Sequence, residues 1–244
     1  MSPVLAIARR ELRSYFATPL ATVFIVIFLL LSGVVTFYVG GFFEAGQADL
    51  QAFFRFHPWL YLLLVPAVSM PLWAEERKTG TLELMLTQPV AVWQAVLGKF
   101  AAAWAFIALA LALTFPLWIT VNWLGDPDNG VILASYLGSL LMAGAFLAVG
   151  SCLSATTRSQ VVAFILTVMA CLLLLLAGFP LALDPLRGVL SQPAIDAVSG
   201  LSFLTHFHAI TRGVLDLRDV CYFLLAIAAW LSATVLVIHI RKAD

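Results

Sequence analysis

Six stretches of this sequence run for 19 to 30 residues without one Asp, Glu, Lys or Arg: 14–43, 56–74, 100–125, 129–157, 159–183 and 220–240. As a helix, each is long enough to cross a hydrocarbon layer of ~30 Å at about 1.5 Å per residue. No single water-soluble core of 244 residues can hide them all, because 63% of the chain is hydrophobic and only 11% is charged. A soluble domain carries about 25% charged residues. Lipid is therefore the expected solvent. This composition excludes a soluble enzyme and a disordered tail. The 13 basic residues balance 13 acidic ones with no basic stripe, which excludes a nucleic-acid-binding domain. Cys152, Cys171 and Cys221 lie far apart in apolar stretches and read as small buried hydrophobes, with neither metal nor disulfide spacing.

The reading is an all-α polytopic membrane protein, a single transmembrane domain over 1–244 with six spans at approximately 18–40, 58–75, 95–121, 133–154, 160–182 and 219–240. A seventh apolar stretch, 197–211, has only 15 residues and carries His206 and His208, so it reads as re-entrant or interfacial. Six spans put both termini on one side. With the termini in the cytoplasm, nine Lys and Arg fall inside and four outside, as the positive-inside rule asks. The apolar run after Arg9, Arg10 and Arg13 is too long for a signal-peptide core, so the first span is expected to persist. Every loop is too short to hold a soluble domain.

Two inside segments do more than join spans. Residues 2–16 begin Ser2-Pro3, a good cap and first-turn pair. Leu5, Ala8, Leu12, Tyr15 and Phe16 share one helical face and Arg9, Arg10 and Arg13 another, with Ile7 breaking the pattern. Such a basic amphipathic helix lies in the membrane interface. It is an orientation anchor, or it also contacts a cytoplasmic partner. In 75–99, Gly80 can end one helix and Thr81 can cap the next. Glu83 then sits in the first turn, where the helix dipole favours an acid. Leu82, Met85 and Leu86 share a face, and Pro89 stops the element. A short capped helix over 81–88 beside the membrane either lies on lipid or docks in a groove of another protein.

Glu76-x3-Gly80-Thr81-x-Glu83, then Leu86, Pro89 and Gly98-Lys99, resemble the inside loop of ABC-2 type transporter permeases, most like the gliding-motility-associated group. The resemblance covers essentially the whole chain, and Ala91-Val92-Trp93 departs from the family's usual polar residues after the proline. It implies a permease subunit in a bacterial inner membrane, an exporter, working as a dimer with a second copy or a paralogue. A separate ATP-binding-cassette ATPase subunit would bind ATP and Mg. The loop helix would be a coupling helix, carried by Glu75, Glu76, Gly80, Thr81, Leu82, Glu83 and Leu86, and Arg9, Arg10 and Arg13 would touch the ATPase. A periplasmic accessory subunit is compatible with the subgroup. The chain has no GxxxxGK[ST] phosphate loop, so no ATPase site and no cofactor of its own are expected.

The same resemblance makes 184–218 a pair of short re-entrant helices gating the outer mouth, with Leu201, Phe203, Leu204 and Phe207 as gate candidates. His206-x-His208 is a poor metal site: on a helix the two rings diverge, and no acid lies within four residues. No HExxH or GxSxG supports the rival reading, an intramembrane enzyme. A second rival is a mechanical subunit that moves no cargo. No acid or lysine lies well inside a span, unlike an ion-coupled transporter. Gly138, Ala143, Gly144, Ala148 and Gly150 allow close helix approach, either within the chain or between subunits.

Overall fold

The computed structural model describes residues 2–17, 19–86, 90–179, 192–213 and 216–240, and among these every regular element is a helix. The helices are α1 (Pro3–Ala17), α2 (Pro19–Val34) with a π-helical turn at Val35–Val39, α3 (Phe42–Ala45), α4 (Gln51–Arg55), α5 (His57–Ser69), α6 (Pro71–Thr79) and α7 (Thr81–Leu86). After these come α8 (Val92–Ala112), α9 (Phe115–Leu124), α10 (Asn129–Thr156), α11 (Gln160–Leu176), α12 (Gln192–Gly200), α13 (Phe203–Thr211) and α14 (Leu217–Ile240).

Four stretches are long and apolar enough to cross a membrane: Ala21–Glu44, Val92–Leu124, Asn129–Thr156 and Leu217–Ile240. They match the expected first, third, fourth and sixth spans. The expected fifth is apolar but its helix has 17 residues. The expected second is divided at Met70, where Pro66 and Pro71 each withhold a backbone donor. Met70 itself keeps right-handed helical angles (φ −57°, ψ −40°), so the path stays helical through the break. The connection between the first span and α5 is not bare, since it contains α3 and α4.

α10 is the axis of the molecule. It packs against α5, α6, α8, α11, α13 and α14, and Met142, Phe146 and Leu147 have no exposed surface. Its small residues bring these neighbours close. A Cβ on Gly138 would sit 2.7 Å from Ile210 of α13, and one on Gly144 would meet Trp104 at 2.9 Å and Ile227 at 3.0 Å. Packing within the chain thus accounts for the small-residue stripe.

α1 lies along α8, with no residue fully buried. Val4, Ile7, Ala8, Glu11, Leu12 and Tyr15 are its half-covered residues, while Leu5 and Phe16 are exposed. This corrects the expected face: Ile7 does not break the pattern but defines it. A Cβ on Gly98 would fall 2.8 Å from Ile7 Cβ, so glycine there is the notch that seats α1.

Candidate functional site

The end of α6 is built into the core from its backbone outward. Leu72, Trp73 and Ala74 are buried. The Ser154 hydroxyl of α10 accepts from the Trp73 and Ala74 amides, each at 3.1 Å, and donates to the Met70 carbonyl at 2.7 Å. A side chain from α10 thereby satisfies polar groups that the break between α5 and α6 leaves open. Trp73 Nε1 donates to Ser151 Oγ at 3.0 Å, and Arg77 Nη1 donates to the Ala155 carbonyl at 2.7 Å. Five hydrogen bonds over about two turns, from Met70 to Arg77, fix the direction of α6 against α10.

On the next turn, Glu76 Oε1 meets Lys99 Nζ of α8 at 2.8 Å. Lys99 is 4% exposed, lies 3.3 Å from Glu11 Oε2 of α1, and sits 5.4 Å from the Trp73 ring centre. One buried cation therefore ties α1, α6 and α8 together. Glu11 is also held by Arg10 at 2.7 Å. Burial acts to raise the Glu11 pKa, but Lys99 and Arg10 together outweigh it and hold the carboxyl below its ordinary value. Glu76 Oε2 is buried and has no hydrogen-bond partner among the described residues. Glu75, one residue earlier, is exposed and accepts from Gln160 Nε2 of α11 at 2.9 Å.

Gly80 ends α6 at φ +73°, a conformation that favours glycine, and α7 departs from it. Thr81 is the first residue of α7 rather than its cap. Its hydroxyl turns back to Thr79 Oγ1 at 3.0 Å and to the Glu76 carbonyl at 3.5 Å. Leu82 is half-buried against the core, and Glu83 is exposed in the first turn. Residues 87–89, which include the expected end of this helix, and the side chain of Leu86 lie outside the described part. The result is an outward-facing short helix on a rigid stem.

Arg9, Arg10 and Arg13 are all exposed. The four gate candidates divide. Leu201 is 59% exposed, whereas Phe203, Leu204 and Phe207 are buried, with Phe203 against Phe146 and Phe223. Of the segment expected over 184–218, residues 184–191 and 214–215 lie outside the described residues. The histidine pair separates as expected, but an acid distant in sequence reaches one member: His206 Nδ1 is 2.6 Å from Asp219 Oδ1. Among the described residues, no three His, Cys, Asp or Glu side chains converge as metal ligands would.

Sequence reasoning placed Lys99 in the loop motif but gave it no partner, and it missed Glu11, Trp73, Ser151 and Ser154 as parts of this site. The available signal for Glu11 was small: a lone acid among the half-covered positions of α1.

Comparison with curated proteins returned no match. The model of the family described as ABC-2 family transporter protein matches residues 5–240, nearly the whole chain. The chain therefore belongs to the ABC-2 transporter membrane family, whose members are the membrane subunits of ABC transporters.

Proposed function

We propose that this permease subunit takes its energy from a separate ATPase subunit seated on α7, and that Glu76, Lys99 and Glu11 carry the resulting force into the bundle. One observation carries the reading: α7 projects from Gly80 on a stem whose last turn is clamped to α1 and α8 through buried Lys99. A load on Glu83 and its neighbours reaches three helices at once. Exposed Arg9, Arg10 and Arg13 on the adjoining α1 add a cationic surface that an acidic patch of the ATPase would meet. ATP and Mg would be bound by that partner.

The same reading has α5 and α6 acting together as the second span and α11 as the fifth, giving six with both termini in the cytoplasm of a bacterial cell. Exposed Tyr38 and Trp123, near the outer ends of two spans, suit an interfacial aromatic belt. The exposed apolar faces of α2 and α11 are available to a second permease copy or a paralogue. Export is the proposed direction, because among the described residues no loop offers a docking platform for a binding protein. The short outside loops suit the gliding-motility-associated group, with room for a periplasmic accessory subunit.

The test is co-purification with the cognate ATPase in mild detergent. Glu83→Lys and Leu86→Asp should preserve the fold while weakening the complex and its ATPase stimulation. Survival of binding and stimulation in both variants would remove α7 as the contact.

A further inference from the structure

At the end of the bundle opposite the Lys99 node, a cleft of about 460 Å³ opens between the end of the first span, α4, the start of α10 and the end of α13. That volume falls within the range of small-ligand sites, roughly 300–1,000 Å³. Three basic side chains line it: Arg55 of α4, His208 of α13 and Arg212 just after α13. Both arginines act on His208: burial first, and then the charges of Arg212 and Arg55, depress its pKa. Among the described residues, neither guanidinium makes an ion pair or a side-chain hydrogen bond.

Two acids also line the cleft, and each is held in place through one carboxylate oxygen by backbone amides. Asp49 Oδ1 accepts from the Gln51 amide at 3.1 Å, and Asp128 Oδ1 accepts from the Gly130 and Val131 amides at 2.9 and 3.2 Å, capping α10. The remaining wall is mixed: Gln47, Gln51, Ser135 and Thr211 add neutral polar groups, and Leu50, Phe54 and Ile132 form a buried apolar floor. At the rim stands Val39, 66% exposed, the last residue of the π turn. From there the exposed apolar face of α2 runs on through Val34, Leu31 and Leu30.

We infer that this cleft binds an amphiphile with an anionic head group, its phosphate or carboxylate held by Arg55 and Arg212 and its tail leaving over Val39 along α2. Two guanidiniums that have no ion pair among the described residues, beside a buried apolar floor, suit an anionic head group joined to an apolar tail. Placing the cleft on the outer side rests on the orientation proposed above, but the binding itself does not.

The experiment uses the full chain in a neutral maltoside detergent, with fluorescently labelled phosphatidic acid, diacylglycerol carrying the same tails and label, and inorganic phosphate as competitor. Phosphatidic acid should bind, and Arg55→Gln/Arg212→Gln should weaken it by about tenfold or more. Arg55→Lys/Arg212→Lys should keep most of the affinity. Both arginines are exposed, so the thermal midpoint should not move. Equal binding of diacylglycerol, or unchanged affinity in the glutamine variant, would overturn the head-group assignment. Competition by inorganic phosphate as effective as by the lipid would overturn the amphiphile assignment and leave a simple anion site. Glu83→Lys should not alter phosphatidic acid binding, so failure of the coupling reading is seen separately.

Discussion

Lys99 Nζ stands 2.8 Å from Glu76 Oε1 and 3.3 Å from Glu11 Oε2, and the lysine is almost fully removed from solvent. A buried cation between two carboxylates from different helices has a definite energetic signature. Removing the cation alone strands both acids, whereas removing charge from both sides does not. Lys99→Met should therefore lower stability by about 3 kcal/mol, the scale for breaking a buried pair. Adding Glu76→Gln to Lys99→Met should restore part of that loss. Thermal unfolding of the single and double variants checks this; additive losses would mean that the two residues are not coupled.

Gly98 and Ile7 test how α1 is held. A methyl group at position 98 would sit 2.8 Å from Ile7 Cβ and 3.1 Å from the Val4 carbonyl, and the latter cannot yield without shifting the helix. Gly98→Ala should cost about 1–3 kcal/mol, as overpacking does. Cleavage at exposed Arg9 and Arg10 by trypsin should accelerate. Ile7→Gly in the same chain should recover part of the protection, because glycine removes both Ile7 Cβ and Cγ2 and leaves only the Val4 carbonyl contact.

Much of this architecture is legible before any coordinates. Uninterrupted absence of charge places the expected spans near the observed helices, and Gly80 announces a helix end because only glycine adopts its backbone angles without strain. The node is not legible in the same way. A lysine beside a glycine at the edge of an apolar run looks like a membrane-edge charge, and its burial depends on α1 folding back across α8. That fold-back is set by Gly98 and Ile7, ninety-one positions apart. Ser154 is hidden for a similar reason: nothing local to it shows that Pro71, on another helix, has opened a gap in the hydrogen-bond ladder. His206 likewise finds its acid 13 residues away, beyond the window in which a helical motif would be sought.

The pH dependence of α1 docking follows from Glu11. Its folded pKa lies below the ordinary 4.5, because Lys99 and Arg10 outweigh the effect of burial. A depressed carboxyl contributes stability that is fully present above the unfolded value and is lost as pH falls through the folded one. Docking should therefore be constant from neutral pH down to about 4.5 and decline below it. A nitroxide at Ser14, in a background carrying Cys221→Ser, would report α1 mobility. Loss of docking above pH 5 would place its control elsewhere.

Gly80 separates the geometry of α7 from its surface. At φ +73° a non-glycine residue is strained, and open space around the position means that no clash adds to this. Gly80→Ala should cost roughly 1–2 kcal/mol locally, the scale for an L-residue held in the left-handed region. The thermal midpoint of the bundle should move little, since Gly80 is exposed at the end of α6. ATPase stimulation should fall while Glu83 remains intact, because the helix would leave the stem in another direction. Full stimulation would show that α7 needs only its side chains and not its pose.

Asp219, in the first turn of α14, fixes α13 through His206. The ring's Nδ1 lies 2.6 Å from the Asp219 carboxylate and its Nε2 lies 3.0 Å from the Gly200 carbonyl, and both of these groups are acceptors. Tyr222 stacks on the same ring at 3.8 Å between centres and donates its hydroxyl to the Leu201 carbonyl. Asp219→Ala leaves a buried ring nitrogen without its partner and should cost about 1–3 kcal/mol. Hydrogen exchange locates the damage: protection should fall across residues 203–211, whereas Lys99→Met should expose 3–17 instead. If Asp219→Ala loosens α1 as much as α13, the two ends of the bundle share one cooperative unit, and the His206 pair does not act locally.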